Sequence, residues 1–76
     1  MIIEFTDYNK KYIAEVWSDI SGGSNFTEVK EPYDETMYVE INNWCIKTFG
    51  YHARTAYHIF EFKKKADLEW FVLKWA

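Results

Sequence analysis

The side chains best suited to covalent or metal chemistry are Cys45, His52 and His58, a thiol and two imidazoles in one short stretch. A Cys–His pair can serve as nucleophile and base, but the thiolate needs an electropositive, partly exposed setting such as a helix N-terminus. Cys45 instead follows Trp44 in the middle of a run with helical periodicity, where a thiol is ordinarily buried and inert. As zinc ligands the same three residues have spacings of no known zinc module, and no fourth ligand is evident. The three glycines make neither a P-loop nor a dinucleotide fingerprint, and Ser18, Ser21 and Ser24 lie in no nucleophile elbow. The reading is a non-enzymatic protein with no catalytic residue, no metal and no cofactor.

Two constellations could bind rather than catalyse. Tyr51, Arg54 and Tyr57, followed by Lys63, Lys64 and Lys65, supply the aromatic faces and cations that single-stranded nucleic acids stack on and pair with. Phosphate binding is dominated by positive charge, however, and this chain has a net charge of −3 and a pI near 5.3. Three lysines at a strand end equally serve to solvate it and guard it against edge pairing. The second constellation is acidic. Asp19, Glu28, Glu31, Asp34 and Glu35 surround the apolar anchors Phe26 and Tyr33 in and after a polar, glycine-containing stretch. Aromatic anchors inside an acidic rim suit a protein partner with a basic surface, the charges steering association and the anchors holding it. Charge is uneven along the chain. Residues 1–40 hold nine acids and three lysines, and residues 41–76 hold six bases and three acids.

The elements that must carry these groups can be read from periodicity. Ile3 and Phe5 alternate with Ile2, Glu4 and Thr6 as in a strand, Asp7 to Lys11 supplies turn formers, and Tyr12 to Trp17 resumes a β-rich run. A helix over 10–17 is the rival reading. Ser21 to Asn25 is the plainest loop, and low apolar content continues to Pro32, a long connection for so small a chain. Tyr33 to Phe49 reads as a helix with Met37, Ile41, Trp44 and Thr48 on one stripe and Tyr38, Cys45 and Phe49 beside it. Pro32, Asp34 and Glu35 suit its start and Gly50 its end. A turn follows, then a strand over Thr55 to Phe62, with Ala56, His58, Phe60 and Phe62 on one face. Leu68, Phe71, Val72 and Trp75 form a last helical stripe, leaving Trp70 and Leu73 as either core or contact surface. Trp44 and Phe71, central on their stripes, are expected to be buried.

The order β-β-α-β-α predicts an α+β fold, with a small antiparallel sheet of about three strands and two helices on one face. Seventy-six residues make a single domain over residues 1–76. A chain this short must pack densely, and 21% aromatic residues provide the means. A lone cysteine excludes an internal disulfide, Glu4 interrupts any signal-like start, and no segment is apolar enough to span a membrane. A cytoplasmic monomer or homodimer is expected.

One pattern in the second half adds to this. Trp44-Cys45-x-x-x-Phe49-Gly50, then Phe60-x-Phe62, Asp67 and Phe71-x-Leu73-Lys74-Trp75, resembles short uncharacterised proteins of tailed bacteriophages over about residues 41–76. The resemblance implies a viral accessory protein that inhibits or redirects a host enzyme or defence complex in the bacterial cytoplasm. It implies no catalytic residues.

Overall fold

The alternating N-terminus closes as a hairpin. In the computed structural model, which describes residues 1–19 and 30–76 and only the backbone of 19, 30 and 31, β1 (Ile2–Tyr8) pairs antiparallel with β2 (Lys11–Asp19). Residues 10–17 are therefore turn and strand, not helix. The turn is tighter than expected, because only Asn9 and Lys10 stand between the strands, with φ of 53° and 62°. Positive φ at both central residues matches the right-handed twist of the flanking strands. The register sets Ile3 opposite Val16, Phe5 opposite Ala14 and Asp7 opposite Tyr12 on one face.

The other edge of β2 is shared. β4 (Ile59–Phe62) takes its first half, pairing Tyr12 with Phe62 and Ala14 with Phe60. A two-residue strand, β3 (Lys30–Glu31), takes its far end opposite Ser18 and Asp19. The expected long connection to Pro32 is thus shortened, since its last residues are strand.

The strand expected over Thr55 to Phe62 is only half a strand. Ala53 to Thr55 turns back along the outer edge of β4, with Glu61 N–H donating to Ala53 O at 2.7 Å and Thr55 N–H to Ile59 O at 2.9 Å. Arg54 explains the turn: its Nε donates to the carbonyls of Ala56 and Tyr57, which pins the chain where a continuous strand would run straight. Phe60 and Phe62 keep the expected buried face, whereas the His58 ring lies 4.2 Å from that of Trp17.

Both helices cover the Val16, Ala14, Phe60 and Phe62 face of the sheet. α1 (Glu35–Phe49) begins at Asp34, whose Oδ1 accepts from Met37 N–H at 3.2 Å, and ends at Gly50 in the left-handed region with φ of 85°. Tyr33, just before the cap, meets Tyr38 edge-on at a ring separation of 6.0 Å. This is an apolar staple that sets the angle at which the chain enters the helix. The buried stripe is Tyr38, Ile41 and Cys45, so the face is rotated from the expected one. Trp44 is only half-buried, because its ring sits at the margin, touching Phe49, Phe71 and Trp75. Thr48 is exposed. α2 (Lys65–Trp75) buries Leu68 and Phe71 as the spacing predicts, with Val72 and Trp75 half-buried beside them. Trp70 and Leu73 face solvent.

Candidate functional site

The acidic constellation divides along its length. Phe26 and Glu28 lie outside the described residues. Asp19 and Glu31 fall on the paired ends of β2 and β3, so the fold sets these two acids on adjoining strands at one end of the sheet. Pro32 then leads directly into Tyr33, Asp34 and Glu35 at the start of α1. Sequence neighbours thus become neighbours of the distant Asp19.

Three of these residues also hold the fold. Asp34 caps α1. Tyr33 N–H donates to Tyr38 Oη at 3.0 Å, and Tyr33 O accepts from Tyr57 Oη at 3.1 Å. Glu35 is gripped by both terminal nitrogens of Arg54, at 2.6 and 2.9 Å. That paired hydrogen bond holds the Glu35 carboxyl below the ordinary carboxylate range. Its charge is therefore partly neutralised at the surface it would present.

Arg54 belonged to the rival constellation, so the two share an ion pair. Its guanidinium also lies 5.4 Å from the ring centres of both Tyr38 and Tyr57. With Nε on two carbonyls and the terminal nitrogens on Glu35, this arginine is a clamp between the 53–57 turn and the start of α1. Tyr51 is similarly placed. Its Oη donates to Asp67 Oδ2 at 2.8 Å and accepts from Lys63 N–H at 3.0 Å, linking the turn after α1 to the start of α2. Burial pushes the Tyr51 phenol up to about 12. Lys63 Nζ lies 4.7 Å from the Tyr51 ring centre, and Lys65 Nζ is 3.2 Å from Asp7. Tyr57 is partly exposed but packs its ring against Tyr38 at 5.0 Å. Lys64, at the start of α2, is exposed.

What the 51–65 region does form is an open groove of about 430 Å³, lined by Lys10, Tyr51, His52, Thr55, Glu61 and Lys63, with Phe62 at its base. Lys10 is the lining residue that the sequence did not point to, because the hairpin turn and the loop after α1 that carries Tyr51 and His52 meet only in three dimensions. His52 is positioned by Asn42, whose Nδ2 lies 3.2 Å from its Nδ1, while Asn42 Oδ1 accepts from Arg54 N–H at 3.3 Å.

The nucleophile set does not assemble. Cys45 is fully buried, and burial pushes its thiol up to about 12, leaving negligible thiolate at neutral pH. His52 faces Asn42 and His58 faces Trp17. Among the described residues no three His, Cys, Asp or Glu side chains converge as a metal site requires. Tyr38 is the residue that sequence reasoning undervalued. Its hydroxyl donates to Val16 O at 2.7 Å while accepting from Tyr33, stitching β2 to the start of α1. The signal was present in the placement of Tyr33 and Tyr38 on either side of the Asp34 cap.

Sequence and fold comparisons leave the chain to be read from its own residues: no protein-family model, curated protein or solved structure matches it. No helix among the described residues is long and apolar enough to cross a membrane.

Proposed function

We propose that the chain is a non-enzymatic, phage-type accessory protein that binds a host protein bearing a basic surface, and inhibits or redirects it in the bacterial cytoplasm. The observation that carries this reading is the gathering of Asp19, Glu31, Asp34 and Glu35 at the end of the sheet where β3 leads into α1. The sequestered Cys45 thiol fits a binding role, and the second-half resemblance to short phage proteins supplies the biological setting. In this reading Asp19, Glu28 and Glu31 serve as the steering charges, while Glu35 is held by Arg54 and Asp34 caps α1.

The test is capture of partners from bacterial lysate by the native protein and by a variant with Asp19, Glu28 and Glu31 all changed to Lys. Glu35 is left unchanged so that the Arg54 clamp survives. Native protein should retain a partner that the variant binds with a slower association rate, the deficit shrinking as salt rises. Equal capture by both would remove the acidic end from the interaction.

A second reading, binding of short nucleic-acid single strands, is favoured by the groove that brings Lys10, His52 and Lys63 beside Tyr51. Five of its six originally expected residues are engaged internally, which leaves Lys64 and this groove to carry it. Nuclease treatment of the same lysate separates the two. Loss of all captured material after nuclease would favour the strand-binding reading.

A further inference from the structure

Among the described residues, one edge of the sheet is covered and the other is not. The Ala53 to Thr55 segment runs along the outer side of β4. Among the described residues β1 pairs with β2 alone, so no described strand takes up the backbone donors and acceptors on the outer side of β1. Long uncovered edges are templates for pairing with another chain.

The face beside that edge is also unfinished. Phe5 points to the same side of the sheet as Ala14 and Phe60, both fully buried, yet it is 61% exposed. It forms one wall of a trough of about 370 Å³ whose floor is Leu68, Val72 and Leu73 of α2. Leu73 is 74% exposed. The rim carries both signs, with Lys65 against Asp7 and Glu69 nearby. A rim of mixed sign matches itself better than it matches a strongly basic or acidic partner.

We infer that the occupant is a second copy of this chain, with β1 pairing antiparallel to its counterpart about a two-fold axis through Phe5. The strand's own composition selects this register. Residues 2 to 8 are centred on residue 5, so only this register pairs the whole strand with itself. It sets Phe5 against the partner's Phe5, Ile2 against the partner's Tyr8, Ile3 against the partner's Asp7 and Glu4 against the partner's Thr6. No two like charges stand opposite, and the exposed Tyr8 gains an aliphatic cover. A register centred on Thr6 would set Phe5 against Asp7. With the axis perpendicular to the sheet, the helices of both copies lie on one face and the two troughs meet over the paired Phe5 rings. A two-fold contact of this kind is closed and does not propagate.

The experiment is sedimentation of native protein and of Phe5→Lys and Phe5→Glu variants at micromolar concentrations. Native protein should sediment at twice the 9.2 kDa chain mass, and each variant alone at the single mass, because each opposes like charges across the axis. An equimolar mixture of the two variants should recover the doubled mass, since Lys then faces Glu. Phe5 is exposed in the monomer, so each variant should keep the native far-ultraviolet circular dichroism. A monomeric native protein would overturn the inference and leave the face to a different occupant. A mixture that stays monomeric while native protein dimerises would overturn the Phe5-centred register.

Discussion

The Tyr38 hydroxyl joins β2 to the start of α1 through one donated and one accepted hydrogen bond. Removing it in Tyr38→Phe leaves Val16 O and Tyr33 N–H without that partner in or near a dry core. The expected cost is about 1–3 kcal/mol, read from urea unfolding at unchanged m-value. Cys45 makes a kinetic prediction. With its thiol held at about 12 and no exposed surface, it should resist alkylation at neutral pH in the native protein and react readily once unfolded. Labelling of native protein at the unfolded rate would contradict its burial. The same groups set the alkaline limit. Cys45, Tyr38 and Tyr51 all titrate above their ordinary values of 9, 10 and 10 because burial disfavours the charged form. A raised folded value means that the unfolded chain loses its proton first. Their stabilisation is therefore complete below pH about 9 and is lost progressively as pH rises toward about 12. Tyr51→Phe should flatten that alkaline decline in the urea midpoint.

At the scale of elements, two local conflicts mark where stability can be added. Lys10 adopts a positive φ that costs a residue with a Cβ about 1 kcal/mol, whereas Asn9 before it tolerates the region. Lys10→Gly yields the Asn-Gly pair that such turns favour and should stabilise by about 0.5–1 kcal/mol. α2 starts without a side-chain cap, and a lysine stands where the helix dipole prefers an oxygen and a negative charge. Lys64→Asp should raise stability by about 1 kcal/mol in thermal unfolding. Each change is confined to one turn, so a larger effect of either sign would mean that the turn or helix start bears on packing elsewhere.

For the molecule as a whole, α2 separates core from surface within one helical turn. Phe71→Ala should cost about 3–5 kcal/mol, because its fully buried ring meets Phe60 and Phe62 at 5.4 and 5.0 Å. Leu73→Ala should change the stability of the monomer by no more than about 0.5 kcal/mol. Comparing the two in chemical unfolding tests whether the aromatic C-terminal segment serves as core, as surface or, as the structure has it, as both. The Glu35–Arg54 pair joins distant parts of the chain in the same way. Its depressed carboxyl contributes stability above the ordinary carboxylate range that is lost as pH falls through the folded value.

Local periodicity was enough to establish the α+β class, the order of the main elements and the Leu68 and Phe71 face, because those follow from where apolar side chains recur along one element. Helix limits near Asp34 and Gly50 were legible for the same reason, since caps are written in adjacent residues. The angle of the α1 face was not. Tyr38, Ile41 and Cys45 lie inward rather than Trp44 because the Tyr38 hydroxyl finds Val16 O on β2, a partner twenty-two residues away. The halved strand before β4 had the same cause, since Arg54 chooses between continuing a strand and clamping Glu35 only when α1 is in place. Charge could be counted from the sequence, but which charges remain available to a partner could not. Pairing of Glu35 with Arg54 and of Lys65 with Asp7 depends on distances that only packing sets, and so do the β1 edge that no other described strand pairs with and the trough beside Phe5.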